Sequence, residues 1–95
     1  SARTRCVVEG ETLYVNGRCD FVAPKAVCDR KNQTEKEARV CEVESLLAHD
    51  QAYYTWLFQR LDCAALKANL AHSTGRLTRD LAHLYVAQSC AEFSH

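Results

Sequence analysis

Two periodicities divide the chain. From Arg5 to Val22 short runs of β-formers, Cys6-Val7-Val8-Glu9, Thr12-Leu13-Tyr14-Val15 and Arg18-Cys19-Asp20-Phe21, alternate with Gly10-Glu11 and Asn16-Gly17. Asn-Gly is the stronger turn signal, because a type I′ hairpin needs positive φ at both central positions. The segment predicts a β-hairpin, or a three-stranded meander if both turns are tight. With two-residue turns, Cys6 lies opposite Val15 and Tyr14 opposite Cys19. The two cysteines then face opposite sides of the sheet and cannot bond to each other, unless a bulge at Gly10 reverses one of them.

Beyond the connecting loop the pattern becomes helical. That loop, residues 23–34, holds Pro24 and the polar run Asp29-Arg30-Lys31-Asn32-Gln33. Thr34 followed by Glu37 is a capping box. It opens a first helix over about 35–48, with Val40, Val43 and Leu47 on one apolar stripe and Cys41 beside it. Asp50 is expected to cap a second helix, 50–72, with His49 closing the first. Tyr53, Leu57, Leu61, Ala64 and Ala68 mark the inner face of this second helix, widened by Trp56, Cys63, Leu66 and Leu70, which makes it the most buried of the three. Ser73-Thr74-Gly75 interrupts the pattern, Gly75 suiting a left-handed helix end. A third helix, 76–92, carries Leu77, Leu81, Leu84, Gln88 and Ala91 on one stripe, with Tyr85 and Cys90 helping it pack. Its short connection makes it antiparallel to the second, at an axial offset of about 6 Å between Cys63 and Cys90 that leaves a bridge open. The expected fold class is α+β, mainly α: one domain, 1–95, in which a short N-terminal β-hairpin or three-stranded meander (5–22) is tied by disulfides to a three-helix bundle.

Length and cysteine content give those disulfides a reason. A chain of 95 residues hides only about 60 to 65% of its unfolded surface on folding, and cross-links are a common remedy. Cys6, Cys19, Cys28, Cys41, Cys63 and Cys90 are spread along the chain with no CxxC pair, which argues against a zinc knuckle or a redox motif. Three disulfides are expected, in one of about 15 connectivities, and with them an oxidising, extracellular compartment. The absence of a leader ahead of Ser1 fits a mature secreted form.

Charge narrows the partners. Twelve acidic and twelve basic residues cancel without forming a block, so neither nucleic acid nor a polybasic membrane contact is expected. The longest apolar stretch, Ala52 to Phe58, is interrupted by Thr55 and falls far short of the roughly 20 residues that span a bilayer.

Candidate chemistry is sparse. His49-Asp50 followed by Tyr53 resembles the centre of secreted phospholipases A2, which would imply a histidine base and a calcium site. That family sets the pair among cysteines, however, and here Ser45, Leu46 and Ala52 stand in their places, while Gly10, Gly17 and Gly75 are too scattered for a calcium loop. His72, His83 and His95 lack the spacing of metal ligands, no serine sits in a Gly-x-Ser-x-Gly elbow, and Glu35, Glu37, Glu42 and Glu44 read as solvated charges. No catalysis, metal or cofactor is expected. Asn32-Gln33-Thr34 matches the N-glycosylation acceptor, although Thr34 also serves as a cap. The aromatic run Tyr53, Tyr54, Trp56 and Phe58 has two readings, core or contact patch; as a patch it suits a protein, a second copy of the chain to form a homodimer, or a lipid.

Together these features describe a secreted, non-enzymatic binding protein, by class a venom toxin or extracellular signalling ligand acting on a receptor or ion channel. A lipid-binding or membrane-perturbing helical module is the alternative. It is similar to saposins in size and helicity, but their first two cysteines lie close together and Cys6 and Cys19 do not. A protease inhibitor using the loop from Ala23 to Asn32 is the third.

Overall fold

The structure is a computed structural model and describes residues 3–25 and 28–90. Strands β1 (Thr4–Val8) and β2 (Glu11–Val15) form an antiparallel hairpin. The turn falls on Glu9-Gly10, with φ of 51° and 83°, one residue earlier than expected; both values are positive, as a tight hairpin turn demands. Cys6 therefore pairs with Leu13, not Val15. The change moves pairing by two positions, so the inward set survives: Cys6, Val8 and Val15 are buried.

Among the described residues no third strand follows, and the meander is not formed. The Asn16 amide donates to the Arg60 carbonyl at 2.9 Å. Asp20 accepts from Trp56 Nε1 and from Arg60, each at 2.9 Å, and Phe21 meets Tyr53 edge to face at 5.3 Å. These anchors draw residues 16–21 along a helix and away from the open edge of β2.

Helix α1 (Glu35–Phe58) begins with the expected capping box, Thr34 and Glu37 each satisfying an amide. It then runs unbroken through 48–50, since no Gly or Pro occurs between Thr34 and Arg60 and Asp50 turns to His49 instead of capping. The break lies at 59–62. Arg60 and Leu61 bond back three residues, to Leu57 and Phe58, and Asp62 accepts from the Ala65 amide to cap α2 (Cys63–His72). The break resets the helical phase. Leu66 turns inward and is fully buried, while Ala64 and Ala68, expected inside, are exposed.

Gly75 caps α3 (Arg76–Ser89) at φ −78°, so it is extended and not left-handed. The inward face of α3 is Ala82 and Val86, with Leu81 and Tyr85 packed alongside; Leu84 and Gln88 face solvent, and Ala91 lies outside the described residues. The core joins Cys6, Val8 and Val15 of the hairpin to Trp56, Leu57, Phe58, Leu66, Ala82, Val86 and Cys90. From α1 it takes the last turns, Tyr53 onward. At about 1.5 Å per residue α1 is about 36 Å long, so its first half projects and gives a molecule of 51 × 27 × 19 Å.

Candidate functional site

Each feature singled out in the sequence has a definite place. His49 lies at the middle of α1, where the hairpin turn meets the helix. Its Nε2 is 2.5 Å from Glu9 Oε1 and its Nδ1 is 3.2 Å from Asp50 Oδ1. Tyr53 stacks parallel to the ring at 6.3 Å and Phe21 meets it edge-on at 6.0 Å. An imidazole donates from both nitrogens only when protonated. Both carboxylates accordingly raise the His49 pKa, Glu9 most, against a smaller opposing effect of burial. A ring held this way is a poor general base, because neither nitrogen is free to take a proton from water. The arrangement is a clamp between turn and helix. Among the described residues no group of His, Cys, Asp and Glu is placed to hold a metal.

The aromatic run is core. Phe58 is 1% exposed and Trp56 9%, with the indole N–H committed to Asp20 and the Arg60 guanidinium 4.8 Å above its ring. Tyr53 and Tyr54 are half-buried and pack against the same cluster. Burial pushes the Tyr53 hydroxyl up to about 12, with Glu11, Tyr54 and Glu9 adding to it. Trp56 and Phe58 therefore offer little surface to a partner, whereas Tyr53 and Tyr54 keep part of theirs.

A second apolar surface lies open on the stripe of Val40, Val43 and Leu47, with Leu46 beside it. Val40, Val43, Leu46 and Leu47 are 49%, 56%, 65% and 55% exposed, on the half of α1 that projects beyond the core. Spacings of three and four residues place them on one face. The stripe is visible in the sequence; what the sequence does not show is that the loop and hairpin leave it uncovered. Around the ridge stand Glu35, Glu37 and Glu44, all exposed, and half-buried Glu42. Arg39 pairs with Glu35 at 2.7 Å, and Arg30 of the loop pairs with Glu42.

Two disulfides brace this arrangement. Cys28–Cys41 joins the loop to the projecting half of α1, with Cα atoms 5.9 Å apart, and Cys63–Cys90 joins the start of α2 to the end of α3 at 5.3 Å. Cys6 and Cys19 are unbonded. Asn32 is exposed, its amide donating to Asp29 at 2.6 Å. The loop proposed for protease inhibition includes Ala26 and Val27, which lie outside the described residues.

Comparison with known protein families, curated proteins and solved structures yields no match. No helix among the described residues is long and apolar enough to cross a membrane.

Proposed function

We propose that the chain is a secreted, non-enzymatic binding protein that engages an extracellular protein, such as a receptor or ion channel, through the projecting half of α1. The observation carrying this reading is the exposed ridge of Val40, Val43, Leu46 and Leu47 on a helix held by a capping box and by Cys28–Cys41. Four apolar side chains on one rigid face are a cost in water unless a partner covers them, and a braced helix loses little entropy when it docks. The charges flanking the ridge are mixed, Glu35, Glu37, Glu42 and Glu44 with Lys36 and Arg39, so it lacks the cationic face that draws a helix to an anionic lipid surface, and a protein groove suits it better. Two disulfides suit an oxidising compartment.

A panel of receptor ectodomains and channels, probed with the wild type and with Val43→Glu/Leu47→Glu, tests the reading. A partner that binds the wild type should bind the variant at least tenfold more weakly, since each apolar anchor contributes roughly 1.5 to 3 kcal/mol when buried, while circular dichroism stays unchanged. Sedimentation of the wild type with neutral or anionic vesicles, abolished by the same variant, would replace this reading with the lipid-binding one. In the same secreted setting Asn32 carries an N-linked glycan, and amidase treatment of chain made in a secretory host should raise its gel mobility.

A further inference from the structure

With Cys28–Cys41 and Cys63–Cys90 formed, Cys6 and Cys19 remain. They are not strangers in the fold. Cys6 sits on the inward face of β1 with no exposed area, in the cluster that holds Trp56. Cys19 lies at the surface between Arg18, whose carbonyl accepts from Arg60, and Asp20, which accepts from Trp56 and Arg60, so both cysteines stand at the same end of α1. Both are held. Pairing with Leu13 fixes Cys6 in the ladder. The segment carrying Cys19 is pinned on one side by the Asn16 amide on the Arg60 carbonyl and on the other by Asp20, which accepts from Trp56 and Arg60. The face argument that separates these cysteines assumes a third strand; without that strand, Cys19 is free to turn toward β1.

We propose that Cys6 and Cys19 form a third disulfide, closed by a small-molecule or protein disulfide as oxidant, with Cys19 the attacking sulfur and Cys6 the resolving one. Cys19, deprotonated, attacks the oxidant's S–S bond; one oxidant thiol departs and a mixed disulfide stands on Cys19. Cys6 then gives up its proton, attacks the Cys19 sulfur and expels the second oxidant thiol. Two protein thiols have lost two electrons and two protons, and one oxidant disulfide has become two thiols. The order follows from access and from proton affinity. An oxidant in solution reaches Cys19 and not Cys6. Burial, with the neighbouring Cys19 thiol and the nearby Asp20 charge adding to it and Arg60 opposing, holds the Cys6 thiol up at about 11, so it does not start the exchange. The bond would tie β1 to the segment that seats Asp20 and Phe21 on α1, independently of what the α1 ridge binds.

The test takes the folded chain with Cys28–Cys41 and Cys63–Cys90 formed and two thiols free, incubates it with oxidised glutathione, alkylates the remaining thiols and maps peptides without reduction. A Cys6–Cys19 cross-linked peptide is expected, alongside the other two bonds. In the same oxidant Cys6→Ser should accumulate one glutathione per chain at Cys19, whereas Cys19→Ser should take up none at Cys6 while folded. Recovery of both residues alkylated, or either joined to a different cysteine, overturns the pairing. Equal glutathione uptake by the two variants overturns the order of attack. The wild-type map decides the pairing even if a variant does not fold.

Discussion

His49 shows how one residue can couple two elements that share no backbone bond. Its folded pKa is raised above the ordinary value of about 6.5 by Glu9 and Asp50. Its contribution is therefore fully present below the unfolded value and is lost as pH rises through the folded one. The difference in urea midpoint between wild type and His49→Gln should be largest near pH 5 to 6 and shrink toward pH 9; a difference that grows with pH would show that the clamp does not act as an imidazolium. Packing predicts a sharper contrast. Phe58→Ala, at a site 1% exposed, should cost about 3 to 5 kcal/mol. Val43→Ala, at a site 56% exposed, should change stability by no more than about 0.5 kcal/mol, which thermal or urea unfolding would measure. The cap at Thr34 was legible because its partner is three residues away. The link from His49 to Glu9 was not, because 40 residues separate them and only the placement of the turn on α1 brings them together.

At the level of elements, local signals announced that helices and a hairpin exist but misplaced their joints. Asp50 and Asp62 are both aspartates ahead of an apolar helical stretch, and both can cap. Asp50 is overruled because its neighbours, Ala48 and Ala52 among them, favour helix and its carboxylate has a histidine beside it. Asp62 prevails because the chain must turn there for α3 to come back against α1, a tertiary demand that no local pattern reveals. Asp62→Ala should lower the melting temperature, whereas Asp50→Ala should cost no cap and, at neutral pH where the His49 clamp is weakened only in part, should lower it less. Equal losses, measured by calorimetry, would mean that α1 is in fact divided at Asp50. The joint also explains the faces: a periodicity carried unbroken from 50 to 72 puts Ala64 and Ala68 inside, and the four-residue interruption rotates them out.

Across the whole molecule the two disulfides restrain different things. Cys63–Cys90 closes 27 residues and ends in the core, where Cys90 has no exposed area; removing it relaxes α2 against α3 and should cost about 3.5 kcal/mol of global stability on chain-entropy grounds. Cys28–Cys41 closes 13 residues on the limb that projects from the core. The same entropy argument gives about 3 kcal/mol, but that holds only if the loop and the core unfold together. Here the loop can leave α1 without exposing Trp56, Leu57 or Phe58, so opening is local. Cys28→Ala/Cys41→Ala should therefore move the urea midpoint much less than Cys63→Ala/Cys90→Ala, while limited proteolysis within residues 28–34 becomes faster. Equal midpoint losses with no change in cleavage would mean that the projecting half of α1 folds as one unit with the core, and the ridge would then be part of the cooperative body and not a limb held out from it.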